Sequence, residues 1–234
     1  MNENVFDRLA DDYSNVHKKS LSIFSNMDLS YFVSYKVNIL KDHIFNLPKN
    51  ILDFGCGIGL SSKYISEQFP MSKIWGIDTS SLSIEKAKKL KISNAIFSCV
   101  DITKQELNLP LFDVIFVSCV FQHIMPKDRQ KVLSKLLSLL SKNGKLFIFE
   151  HNPYNPITNL IYNMTEIDNG CCMMSHFELN KILKEIILND FVIYQTFFSI
   201  FMPRYMFLSK IFFLEKYLKK IPIGAQYYKI IQRL

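Results

Sequence analysis

Residues Ile51 to Leu60 read ILDFGCGIGL: an apolar run, an acid, then three glycines at alternate positions. No other stretch of the chain is so restrictive. The run has the length and content of a buried strand, and glycines mark the turn that leaves it. Gly55 and Gly57 can take positive φ and let a ligand lie against bare backbone. In open α/β sheets, ligands bind beyond the carboxyl ends of the strands, where the chain turns into the next helix.

The rest of the chain fits such a sheet. Apolar runs at 50–55, 73–77, 95–100, 112–119, 144–150, 190–199 and 226–232 read as strands. Amphipathic stretches at about 60–69, 80–91, 128–141 and 176–188 read as helices between them. This alternation predicts a doubly wound, largely parallel α/β sheet. Ahead of it, 3–17 and 30–46 read as helices, with Phe32, Val33, Val37 and Leu40 on one face of the second. At 234 residues there is room for one sizeable domain, and no internal repeat divides it.

Glycine spacing discriminates between ligands. A dinucleotide fingerprint, G-x-G-x-x-G, needs its third glycine at position 60, which is Leu60. Here the third is Gly59, and Asp53 lies two residues before the first. A carboxylate there repels a pyrophosphate and suits a cation. A nucleoside cofactor bearing an ammonium or sulfonium and no phosphate fits better. A tight turn without any ligand is the plain alternative.

The motif resembles the first motif of the class I S-adenosylmethionine-dependent methyltransferases, [LV]-D-x-G-C-G-x-G, and further motifs follow in order over roughly 50–150. IWGIDTS ends the second strand at Asp78 and Thr79, about 20 residues past the glycines, where an acid meets ribose hydroxyls. IFSCVDIT ends the third at Asp101, where the family holds the adenine amino group, with Ile102 alongside the ring. FDVIFVSCVFQHI resembles the fourth strand and the turn facing the methionine part, which brings in Cys119. LLSKNGKLFIFE resembles the following helix, glycine turn and fifth strand. As helix N-caps, Asp78 and Asp101 would need no ligand.

The resemblance implies a Rossmann-like, seven-stranded, mostly parallel sheet with an antiparallel last strand and an N-terminal helical lid. Residues 1–234 then form one domain: lid 1–48, cofactor core 49–150, acceptor side and closing strands 151–234. The implied cofactor is S-adenosylmethionine, held by Asp53, Gly55, Cys56, Gly57, Gly59, Asp78, Thr79, Asp101, Ile102 and Cys119. FDRLADDYSNVHKKS resembles the lid of small-molecule methyltransferases, so Tyr13 would close over the methionine end or pack as a core aromatic.

Methyl transfer needs an aligned nucleophile and a dry site, and a base only where the acceptor holds a proton of high pKa. His123, past the fourth strand, and His151, past the fifth beside Glu150 and Asn152, are the candidate catalytic residues. His17 is a weaker one, and His43 and His176 read as structural. Amine-methylating relatives carry N-P-P-[YF] after the fourth strand; this chain has SCVF, which favours O- or C-methylation.

FEHNPYNPIT and IPIGAQYY resemble a bacterial subgroup associated with surface-polysaccharide genes. That resemblance implies an oxygen acceptor on a sugar, or on an acidic or phosphorylated glycan precursor. A quinone-like or lipid acceptor is an alternative, and RNA or protein a further one, although no nucleic-acid module is recognisable. Seven of the 28 basic residues but only one of 21 acidic residues lie in 200–234, so the positive charge is gathered there. Such a tail attracts anions, and its apolar part at 200–224 could touch a membrane surface or pack on the sheet. Five cysteines without C-x-x-C spacing argue against a disulfide framework or structural zinc, and no metal is expected. A polar start and the lack of a membrane-length apolar run predict a cytoplasmic protein.

Overall fold

The computed structural model describes residues 29–104, 109–164, 171–187, 190–200 and 218–234. Helix α1 (Leu29–His43) precedes strand β1 (Asn50–Phe54), α2 (Leu60–Gln68), β2 (Lys73–Asp78), α3 (Ser81–Lys89) and β3 (Ala95–Cys99). Next come β4 (Phe112–Ser118), a 3-10 turn (Phe121–His123), α4 (Pro126–Ser138) and β5 (Leu140–His151). Helices α5 (Pro156–Met164) and α6 (His176–Ile186) follow, then β6 (Phe191–Ile193), β7 (Phe197–Ser199) and β8 (Gln226–Arg233).

These eight strands form one sheet in the order β3-β2-β1-β4-β5-β8-β6, with β7 also on β8. The pairs from β3 to β5 are parallel, and β8 runs antiparallel to β5, β6 and β7. The order reverses between β1 and β4. That is the switch point at which a crevice opens past the strand ends. The mixed sheet agrees with the expected α/β class, with two differences: β5 begins at 140, inside the expected helix 128–141, and 190–199 is two strands. Between them Tyr194 donates its N–H to Ile230 O and its hydroxyl to Gln232 Oε1, at 3.0 and 2.8 Å.

Alternate side chains build a core on each face. Leu52, Ile115, Val117, Leu146 and Ile148 meet α4 and α6 through Leu133, Leu136 and Leu183. Ile51, Val114, Phe116, Phe147 and Phe149 meet α1 and α2 through Val37, Leu40 and Ile65. Helix α4 begins at 126, before the expected 128, because Pro126 occupies its first turn, where the missing N–H costs nothing. Helix α5 was not expected. Asn155 accepts the Thr158 N–H at 2.8 Å and Pro156 pre-sets the backbone, so the Asn155–Pro156 pair starts the helix. Tyr13, His17 and most of 200–224 lie outside the described residues.

Candidate active site

The glycine turn joins β1 to α2 with all three glycines at positive φ: 72° at Gly55, 53° at Gly57 and 85° at Gly59. They serve different ends. A Cβ on Gly55 would lie 2.4 Å from Val120, so that glycine lets the turns after β1 and β4 touch. A Cβ on Gly57 would meet nothing within 4 Å. Gly57 is therefore the bare backbone that faces open space. Asp78 orients it, with Oδ2 accepting the Gly57 N–H at 2.8 Å and Oδ1 the Ser80 N–H at 2.9 Å.

Asp53, expected at the cofactor's edge, is instead buried beneath the turn. Its Oδ2 accepts the Ser61 and Ser62 hydroxyls at 2.8 and 2.6 Å, clamping the start of α2. Burial raises its pKa to about 6, against the pull of those hydroxyls. Cys56 and Ile102 are also buried, each within a cluster of apolar side chains. Thr79 is exposed beside Asp78. Asp101 sits past β3 with Oδ1 accepting the Thr103 N–H and hydroxyl and Oδ2 paired to Lys104 at 2.9 Å. Partial burial would raise its pKa, but these partners outweigh it and hold the pKa below the usual value.

The turn after β4 is tightly held. Cys119 has φ 56°, and the N–H groups of Val120 and Phe121 donate to Oε1 of buried Glu150 at 3.0 and 2.8 Å. Among the described residues Oε2 of Glu150 has no partner, and burial raises the acid's pKa to about 8. Buried Arg129 donates through Nε to Phe121 O and Ile124 O, and through its other nitrogens to Cys172 O and Glu178. It thereby ties this turn to the start of α6. His123 is engaged within the same unit, with Nε2 3.1 Å from Gln122 Nε2 and Nδ1 3.1 Å from Cys171 Sγ.

Beyond β4, toward β5 and β8, Cys119 and His151 are joined by two residues the sequence did not single out, Lys36 and Gln226. Lys36 of α1 reaches Ser118 Oγ at 2.8 Å and Cys119 Sγ at 3.3 Å while only 5% exposed. Among the described residues no carboxylate pairs with it. Gln226, at the head of β8, directs Nε2 toward Cys119 Sγ at 4.0 Å, and its buried Oε1 finds no partner among the described residues. His151 is the cross-strand neighbour of Gln226, and its ring stands 6.4 Å from that of Tyr162. One signal for Lys36 was available: it lies on the stripe of Val33, Val37 and Leu40, a charge where an apolar residue belongs.

The two late motifs prove to be halves of one clasp. Asn152 donates to Pro222 O and Gly224 O at 3.1 and 2.8 Å, Asn155 to Ile223 O at 2.7 Å, and Thr158 to Ala225 O at 3.0 Å. This fastens the end of β5 to the turn entering β8. His151 and Gln226 are held side by side as a result.

Comparison with known proteins bears on this cleft. Residues 52–146 match the model of a methyltransferase domain family. A Rickettsia prowazekii protein of uncharacterised function is 26% identical over 194 residues, 78% of each chain. The malonyl-[acyl-carrier protein] O-methyltransferase of Bacillus anthracis is 31% identical over 138 residues, 58% of this chain and 46% of that protein. This chain spans less than two thirds of the length of such relatives. The plantazolicin methyltransferase BpumL, solved in complex with SAH, has TM-score 0.61 and 26% identity over 97% of this chain and 90% of its own. Magnesium protoporphyrin IX methyltransferase from Synechocystis PCC 6803, at 15% identity and TM-score 0.61, shares the fold over 99% and 98% of the two chains.

Proposed function

We propose that this chain, a class I methyltransferase whose cofactor is S-adenosylmethionine, methylates an oxygen of a small acceptor, with His151 taking the proton. The observation that carries this reading is the position of His151, which shares a sheet face with Gln226 at the end of β5. S-adenosylmethionine, when bound, supplies a methyl group activated on a positively charged sulfur, which keeps the bonding pair as the methyl leaves. The chain has to hold the donor, orient the acceptor and keep water out.

Gly57 and Asp78 suit the donor, since open backbone and an oriented acid adjoin at the ends of β1 and β2. Asp101 stands one strand further along. Cys119 and the turn braced by Glu150 border the other side. His123 belongs to that border, because both its ring nitrogens are engaged with Gln122 and Cys171. It is a support for the turn, and His151, which shares a sheet face with Gln226, is the base in this reading. An oxygen acceptor also agrees with SCVF in place of an amine-binding turn. A sugar or acidic precursor of a surface glycan falls within this class of acceptor.

The test is transfer of isotopically labelled methyl from S-adenosylmethionine into a fractionated extract of small molecules, RNA and protein. Label is expected in a small-molecule fraction as an O-methyl group. His151→Ala should cut the rate at least tenfold while leaving affinity for S-adenosylhomocysteine within twofold. Label appearing in RNA or protein would refute the small-acceptor reading.

A further inference from the structure

Lys36 is a buried ammonium that hydrogen-bonds a hydroxyl and a thiol and lies 6.0 Å from the ring of Phe149. The acid within electrostatic range, Glu150, is buried and keeps its proton to about pH 8, so it supplies little counter-charge at neutral pH. Removing a charge from water without a counter-charge costs several kcal/mol, so the arrangement calls for an anion from outside the described fold. Gln226 is 6% exposed and shows the complementary lack. Whichever way its amide is turned, one end meets sulfur and the other meets no partner among the described residues. Lys36 comes from α1 and Gln226 from β8, elements far apart in sequence, and both converge on Cys119.

Resting on the methyl-transfer reading above, we propose that Lys36 and Gln226 seat the acceptor, and that the acceptor is a hydroxy acid. Its carboxylate pairs with the Lys36 ammonium, and its hydroxyl lies against the Gln226 amide, next to His151. The place in the sheet favours the acceptor over the donor as the source of that carboxylate. Asp78 and Asp101, the acids suited to a nucleoside, stand at β2 and β3, whereas Lys36 and Gln226 gather over β4, β5 and β8 on the far side of the glycine turn. A neutral hydroxyl becomes a competent nucleophile only as its proton leaves. The pair puts that hydroxyl beside His151, which takes the proton, while the oxygen forms its bond to the methyl carbon and the carbon–sulfur pair stays on sulfur. The carboxylate itself remains unmethylated, held as an anchor by a cation that makes it a poor nucleophile. Uronic acids and aromatic or aliphatic hydroxy acids share this chemistry.

The experiment repeats the labelled-methyl transfer with the full chain and the variants Lys36→Met, Lys36→Arg and Gln226→Leu, with calorimetry of S-adenosylhomocysteine on each. The labelled product should be a methyl ether that still binds an anion exchanger through a free carboxylate. Lys36→Met and Gln226→Leu should each lower label transfer at least tenfold while the calorimetric affinity stays within twofold of the wild type. Lys36→Arg should restore most of the transfer. Unchanged calorimetric affinity also shows that a failing variant is folded. A labelled ester, amine or neutral product would overturn the proposal and leave methyl transfer standing. So would a tenfold loss of S-adenosylhomocysteine affinity in Lys36→Met, which would assign the cation to the donor's own carboxylate. Absence of label with every protein would remove the methyl-transfer reading and this one together.

Discussion

At the scale of single residues, the three glycines of the turn should respond differently to one added methyl. Gly57→Ala puts its Cβ in open space and incurs only the strain of a positive φ, about 1–2 kcal/mol. Its melting temperature should fall modestly while S-adenosylhomocysteine affinity drops tenfold or more, because the methyl occupies the ligand's approach. Gly55→Ala, which drives a Cβ to 2.4 Å from Val120, should instead lose stability first. Calorimetry and thermal denaturation on the pair decide the matter; equal binding by Gly57→Ala and wild type would place the ligand elsewhere. The sequence showed the glycines and the two strand-end acids because backbone conformation and strand periodicity are local. It did not show that Asp53 turns inward. That depends on Ser61 and Ser62 lying within reach once α2 has formed.

At the scale of elements, the closing strand depends on a close approach at Gly224. A Cβ there would meet Ser199 O at 2.5 Å and Ser199 N at 2.8 Å, both backbone atoms that cannot swing away. Gly224→Ala should cost about 1–3 kcal/mol, read as a lower denaturation midpoint, and should weaken turnover by disturbing Gln226. An unchanged midpoint would mean that β7 is free to shift. Strands β1 and β4 were legible from apolar runs alone, since each is buried on both faces, whereas edge strand β3 buries only Phe97. The division of 190–199 into β6 and β7 was not, because it arises from bonds that Tyr194 makes to β8. Nor did either late motif announce the other. Asn152 and Asn155 clasp a turn some 70 residues away, a relation that only the completed sheet creates. Among the described residues no helix is long and apolar enough to cross a membrane, and no group of three or more His, Cys, Asp or Glu side chains is placed to hold a metal ion.

At the scale of the whole molecule, the buried acid beneath the β4 turn couples stability to pH. Glu150 in the fold keeps its proton until about pH 8, whereas an unfolded chain releases it near 4.5. Between those values the folded state binds more protons, so stability is greatest below the lower value and declines as pH rises through the window. Glu150→Gln retains the acceptor for Val120 and Phe121 but cannot ionise. Relative to this variant, the wild type should lose up to a few kcal/mol between about pH 4.5 and 8, measured by urea titration at several pH values. Parallel pH profiles would mean that the carboxyl ionises freely in the fold. The order of the strands has a consequence for how the chain is made. Strand β8 lies between β5 and β6 although both are synthesised before it, so on the ribosome the outer edge of β5 stays unpaired for some 75 residues. Nascent chains stopped before residue 226 should therefore be the species that chaperones hold and proteases find, until β8 emerges to pair with both β5 and β6.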